Sequence, residues 1–295
     1  MGAVEAFTKA FSIIRENKKL YLLALTLALI LAPIGAYTLP GKALPKGNVT
    51  TTHSGNVIVE EYGSSMGNGN GLLTGLLEKF ALYSAITLLL GSIFEYGVVK
   101  GALLHIEGQQ VRFSELLGKG LKKSPAVITI NILYIFIGLA ILSVGLIPMG
   151  VGIVTLPSGA ILVFVGLGLT LLAGTFAVAL SLLPVPMYAD EENFGAALKA
   201  MSMSLRNVLT TVGFGFLVMV AVLGIAAISG PIAFLTTTFL QGKTGEYVSV
   251  LLQAPFTALL YEFLWVAGVA FYRELKKKKE LKKVDEELAE LGIDF

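Results

Sequence analysis

The chain has 295 residues, of which 55% are hydrophobic and only 14% charged, with a net charge of +2 and no cysteine. Soluble domains carry roughly a quarter charged residues, so this chain has too little polar surface to cover itself in water. The near balance of charge argues against a nucleic-acid partner, and the lack of cysteine excludes disulfides, thiol catalysis and thiolate metal sites. Bilayer is then the solvent, and there the need to satisfy every backbone polar group favours helices over an open sheet.

Residues Val4 to Lys19 set Phe7, Phe11, Ile13 and Ile14 among Glu5, Lys9, Arg15, Glu16, Lys18 and Lys19. This is the pattern of an amphipathic helix lying in the interface and leading into a first span, Leu20 to Leu39. The region from Pro40 to Glu78 is rich in Gly, Thr, Ser and Asn and reads as a loop outside the bilayer. Within it, Val49–His53 and Val57–Tyr62 flank Ser54-Gly55-Asn56, the pattern of a short β-hairpin. The run Gly67 to Gly71 reads as a flexible tether, and Asn48-Val49-Thr50 matches the N-glycosylation acceptor pattern.

A second span runs from Phe80 to Leu104 and carries Glu95, with Lys100 nearer its end. Gly97 and Gly101 have the small-xxx-small spacing that lets helices approach closely. The connection from His105 to Ser124 places Arg112, Lys119, Lys122 and Lys123 among Phe113, Leu116, Leu117 and Leu121, a second amphipathic stretch.

From Pro125 to Ala189, 65 residues pass without an Asp, Glu, Lys, Arg or His. One spanning helix needs about 20 apolar residues, so this stretch holds two, within Val127–Ile147 and Gly159–Leu183. The turn is expected between Pro148 and Pro157, where Met149 to Gly152 interrupts both patterns. Pro184 and Pro186 stop the fourth span. After Asp190-Glu191-Glu192, Phe194 to Arg206 forms a third amphipathic stretch. The fifth span is expected over Val208–Ile228, ended by Gly230-Pro231, and Ile232–Glu246 as an outer segment in the interface. The sixth, Tyr247–Tyr272, contains Glu262 and is bent at Pro255. Residues 273–295 mix Lys276–Lys279 and other bases with seven acids, a charged helical tail beyond the single transmembrane domain of residues 1–272.

With six spans, eighteen Lys and Arg fall on the side of the two termini and four on the other. The positive-inside rule then puts both termini in the cytoplasm of a multi-pass cell-membrane protein. Three times a Phe-led amphipathic stretch precedes an out-and-back pair of spans, the leads being Phe7, Phe113 and Phe194. The fold expected is therefore all-α, six transmembrane helices arranged as three parallel hairpin repeats with cytoplasmic interfacial helices. Inverted repeats, the commoner mark of alternating-access transporters, are not what this pattern describes.

The segment Leu183-Pro184-Val185-Pro186-Met187-Tyr188-Ala189-Asp190-Glu191-Glu192, followed by Phe194, Ala197, Leu198, Met201 and Ser204, resembles the six-span membrane domain found attached to some glycerophosphodiester phosphodiesterases and in related stand-alone proteins. The similarity is strongest from Glu95 to Gly215. In that family hydrolysis belongs to a separate soluble domain, so the resemblance implies a membrane scaffold or lipid-associated role and transfers no catalytic residue.

Glu95 and Glu262 are the sharpest chemical features. A charged group near the bilayer centre costs at least about 2.5 kcal/mol, so such residues face a cavity, a partner or an ion path. Each has a tyrosine neighbour, Tyr96 and Tyr261. Facing each other, the two acids could share a proton or hold a cation. The plainer expectation pairs Glu262 with Asn131, Tyr261 or a threonine, and Glu95 with Lys100 or a loop base. Arg112, Lys122, Lys123, Lys199, Arg206, Lys276 and Lys277 are candidates for contact with anionic lipid headgroups. The tail is a candidate site for a protein partner. His53 and His105 fall on opposite sides of the membrane, and no phosphate loop, zinc signature or nucleophile motif is present, so neither a metal nor a cofactor is expected. The leading reading is a non-enzymatic protein that binds or organises lipid. The alternative is a proton- or cation-coupled transporter using Glu262 and Glu95.

Overall fold

The computed structural model describes residues 2–38, 49–54, 57–62, 69–110, 112–239 and 242–290. They form nine α-helices and one two-stranded hairpin. Helix α1 (Gly2–Glu16) is followed after Asn17 by α2 (Lys18–Thr38). Strands β1 (Val49–Ser54) and β2 (Val57–Tyr62) pair antiparallel, with Val49 opposite Tyr62 and Ser54 opposite Val57. Then come α3 (Gly69–Ile106), α4 (Phe113–Val154), α5 (Ala160–Ser181), α6 (Pro184–Glu191), α7 (Phe194–Arg206), α8 (Val208–Phe239) and α9 (Gly242–Glu290). Asn48 lies outside the described residues.

Six stretches are long and apolar enough to cross a membrane: α2, residues 77–106 of α3, α4, α5 continued through α6, α8, and much of α9. Each of the six main helices touches the next in chain order, and α9 touches α2, so the set closes on itself. Helices α2, α3 and α9 also touch one another mutually. The short helices gather at one end. Glu16 of α1 meets His105 at the end of α3, and Asp190 of α6 meets Lys276 of α9. This end also holds Lys100, Lys123, Lys199 and Arg206, and we call it the basic end.

Close packing holds helices together where water provides no driving force between them. Between α4 and α5, Gly145 lies against Thr170, Gly166 against Met149, and Gly152 against Val163, all so near that no Cβ would fit. At the Gly97–Gly101 pair, a Cβ on Gly101 would come within 2.7 Å of Leu20 Cδ2, and one on Gly97 within 3.3 Å of the Leu116 carbonyl. That flank of α3 therefore accepts both α2 and α4.

Several boundaries differ from those expected. The turn between the third and fourth spans is at residues 155–159, because α4 runs through Pro148 and Met149–Gly152 to Val154. Helix α4 also runs through Pro125, so the second amphipathic stretch from Phe113 is the first three turns of the span. Gly230-Pro231 does not end α8, which continues to Phe239, and the expected interfacial segment is divided between α8 and α9. Of the expected tether, Gly69–Gly71 is the start of α3, and Gly67 and Asn68 lie outside the described residues. Spanning helices tolerate Pro and Gly because neighbouring helices and local adjustment re-satisfy the freed backbone groups. Pro184 does end α5, and it also opens α6, where a missing N–H costs nothing.

Helix α1 is more enclosed than an interfacial helix. Ala6, Ala10 and Ile13 are buried, and the helix packs on α9 and α8 and reaches α2 and α3. Gly2 lies beside Glu274 and Thr210, while Glu16 lies beside His105, so α1 crosses the basic end of the bundle from α8 and α9 to α3. Ser12 donates to Glu16 at 2.6 Å, and this bond, with the His105 ring, holds the Glu16 carboxyl below the usual carboxylate range.

Candidate functional site

The basic end is built around α6. Its residues Pro184 to Ala189 are buried, packed against α3, α4, α7 and α9, and they carry Asp190 to the edge of the core. Asp190 accepts from the Tyr272 hydroxyl at 2.6 Å and from Lys276 Nζ at 2.7 Å, both on the same oxygen. Arg273 lies 3.3 Å from its other oxygen and also bonds Glu107 at the end of α3. Tyr272 and Lys276 stand four residues apart, hence on one face of α9.

The chain then turns sharply into α7. Glu192 has φ of 51°, a left-handed conformation that costs a non-glycine residue of the order of 1 kcal/mol. Its carboxylate holds two lysines, Lys123 at 3.1 Å and Lys100 at 3.7 Å. The hydrogen bond from Lys123 holds the Glu192 carboxyl below the usual range. Lys100 also donates to the Ala189 carbonyl at 2.8 Å. Asn193 caps α7 by accepting from the Gly195 N–H at 2.9 Å, and Tyr134 of α4 donates to the Ala197 carbonyl at 2.7 Å. The corner between α6 and α7 is thus tied to α3, α4 and α9.

Beside this corner lies a groove of about 780 Å³ between α6, α7 and α9. Met187, Met203, Tyr272 and Leu275 form its apolar floor. Five cations surround it, Lys199 and Arg206 from α7 and Lys276, Lys278 and Lys279 from α9, against two acids, Glu191 and Glu280. The face of α7 that packs inward is Ala196, Ala197, Ala200 and Ser204, which turns Lys199 and Arg206 outward to solvent.

Three of the seven expected headgroup contacts therefore converge, namely Lys199, Arg206 and Lys276. Lys277 lines a smaller depression of about 350 Å³ with Glu5, Thr210 and Glu274. Lys123 is engaged by Glu192, and Arg112 and Lys122 are exposed away from the groove. Lys278 and Lys279 were noted in the tail as part of the basic run Lys276–Lys279, but not as lining a groove. Nor was the role of Asp190 and Tyr272 foreseen, although two donors four residues apart at the end of the last span, Tyr272 and Lys276, were visible.

The intramembrane acids have different partners from those expected. Asn131 of α4 donates to Glu95 at 2.6 Å, so it serves Glu95 and not Glu262, and Lys100 is turned to Ala189 and Glu192. Glu262 is 0% exposed, and neither of its carboxyl oxygens has a hydrogen-bond partner among the described residues. Tyr261 stacks on Trp265, with ring centroids 5.4 Å apart, and Tyr96 packs edge-on to Tyr188 of α6. No hydrogen bond joins Glu95 and Glu262 among the described residues. Asn131→Leu is expected to destabilise the protein by about 1–3 kcal/mol by leaving the carboxyl of Glu95 unpaired. Glu95→Gln, which keeps an acceptor for Asn131, should be close to neutral. Thermal unfolding of the purified protein in detergent measures both.

Among the described residues no three His, Asp or Glu side chains are grouped to hold a metal ion. Compared with known proteins, the chain matches no family model, no curated protein and no solved structure.

Proposed function

We propose that this is a non-enzymatic integral membrane protein that binds anionic lipid at the face of the bilayer where α6, α7 and α9 meet. The observation that carries this reading is the groove. An apolar floor fits acyl-chain carbon, and a rim of five cations and two acids favours a negatively charged headgroup. Each Lys or Arg near a membrane surface contributes about 1 kcal/mol to attraction of anionic lipid. The likeness of residues 183–204 to the phosphodiesterase-associated membrane domain agrees with a lipid-associated role.

In this reading the basic end faces the cytoplasm of the cell, in keeping with eighteen Lys and Arg against four. The six spans form three hairpins, α2–α3, α4–α5 and α8–α9, whose members touch each other. Their leads are α1, the first turns of α4, and α7. The charged end of α9 is left for a protein partner.

The test is retention of lipid through purification, read by native mass spectrometry. Lys199→Ala with Arg206→Ala removes two rim cations, about 2 kcal/mol, so retention of anionic phospholipid should fall roughly thirty-fold relative to zwitterionic phospholipid. Equal retention by the parent and the double variant would sink the proposal.

A further inference from the structure

Glu262 stands apart from the groove and from the network around Asp190. It is fully buried in α9, and both its oxygens lack a hydrogen-bond partner among the described residues. Water, a protein donor or a bound ligand ordinarily satisfies such a group, and a bare carboxylate in apolar surroundings is among the most costly arrangements a protein can hold. Its surroundings define the class of ligand. On α9 the residues one turn away are Ala258, Leu259, Trp265 and Val266, none with a side-chain oxygen. On α2 the facing seam is Ala24, Ala28 and Ala32, packed on Ala254 and Ala258. A metal cation needs several oxygen ligands to replace its water, whereas a proton needs one.

Other titratable groups are turned elsewhere. Tyr21 of α2 is within electrostatic reach of Glu262, but its hydroxyl donates to the Pro255 carbonyl at 3.3 Å. The charged residues of α1, Glu5, Lys9, Arg15 and Glu16, are exposed. On α3, Glu95 is held by Asn131 and Lys100 by Ala189 and Glu192. Helix α8 has no ionisable residue.

The cover over this part of α9 is α1. Phe7 and Phe11 pack on Phe263, the residue after Glu262, with ring centroids 5.9 and 5.4 Å apart. The rest of the buried face of α1 is small, Ala6 and Ala10 with Ile13, and the helix is separated from α2 by the single non-helical residue Asn17. Helix α1 is thus a cover seated on α9 by two alanines, one isoleucine and a cluster of rings, with a break at its end.

We propose that Glu262 is a proton-binding site closed by α1 and the first turn of α2, and that its proton exchanges with water at the basic end when α1 lifts from α9. The site is independent of lipid binding in the groove. Dicyclohexylcarbodiimide attacks protonated carboxyl groups in apolar surroundings, and peptide mass spectrometry locates the adduct. With the full chain in liposomes, Glu262 should be labelled, progressively less as pH rises, and Glu262→Gln should abolish that adduct. Phe7→Ala with Phe11→Ala should raise the labelling rate several-fold by loosening α1. Should that variant fail to fold, Phe7→Leu with Phe11→Leu keeps apolar volume while removing the ring contacts and serves the same comparison. A Glu262 that is unlabelled at every pH, or labelled at a rate indifferent to pH and to the α1 variants, overturns the proposal.

Discussion

Gly215→Leu is expected to abolish stable folding, or to lower stability by about 3 kcal/mol or more. On α8, Gly215 lies directly against the Thr175 carbonyl of α5, so near that the first carbon of any side chain would overlap it. Overpacking a core of flexible side chains costs about 1–3 kcal/mol because those side chains give way. Here the obstacle is backbone within a helix, and relief requires the two helices to part. The contact matters for the site as well, since α5 leads into α6 and α8 follows α7. Gly224, on the same helix, is exposed and meets nothing within 4 Å, so Gly224→Leu should be silent. The yield of monodisperse protein and its melting temperature in detergent distinguish the two variants. Equal behaviour would mean that the α5–α8 contact does not hold the bundle.

The second large effect is expected at Asp190, and it has two signs. Asp190→Ala takes away the acceptor shared by Tyr272 and Lys276 and the partner of Arg273. Removing one member of a buried charge cluster costs about 3–5 kcal/mol. The Asp190 side chain is only 14% exposed, but that of Lys276 is 38% exposed and partly solvated, so about 2–4 kcal/mol is the better expectation. Tyr272→Phe should cost about 1 kcal/mol. The double variant should fall short of the sum, because both changes remove the same bond. Lipid retention should move the other way. Lys276 also lines the groove, and without Asp190 its whole charge is available to a headgroup, so the less stable protein should hold anionic phospholipid more tightly. Weaker retention in Asp190→Ala, at a temperature where it remains folded, would count against Lys276 acting at the groove.

What was legible in the sequence, and what was not, divides along physical lines. Apolar runs of twenty or more residues announce themselves by length, so the six spans were plain, and α1 and α7 showed through their periodicity. Phe194 and Arg206 were read as the bounds of α7, while its cap, Asn193, showed only in the structure. Two prolines inside the bilayer misled. Pro148 and Pro231 read as breaks by the rules of water-soluble helices, yet α4 and α8 pass through them, whereas Pro255 was kept inside the sixth span and lies within α9. The charged residues misled in another way. Asp190 to Glu192 looked like a solvated flank, because the groups that neutralise them come from other elements. Tyr272 and Lys276 lie 82 and 86 residues away, and Lys100 precedes them by about as much. Asn131 was recognised as a partner for an intramembrane acid but assigned to Glu262, since no periodicity within α3, α4 or α9 says which helices meet. Local pattern reports faces, and pairing of faces is decided by packing such as that of Gly120 on the Ile93 carbonyl.

Helix α9 serves both as a wall of the bundle and, beyond it, as the charged tail, and no break separates the two between Pro255 and Glu290. Its 49 residues make a rod about 73 Å long at 1.5 Å per residue. Seen as a mechanical part, it is a lever with its fulcrum at Tyr272, Arg273 and Lys276, the three residues that grip Asp190. A load applied to the last turns is delivered as torque on that grip and, through α6, on one side of the groove. Whatever takes hold of the tail therefore also takes hold of the groove.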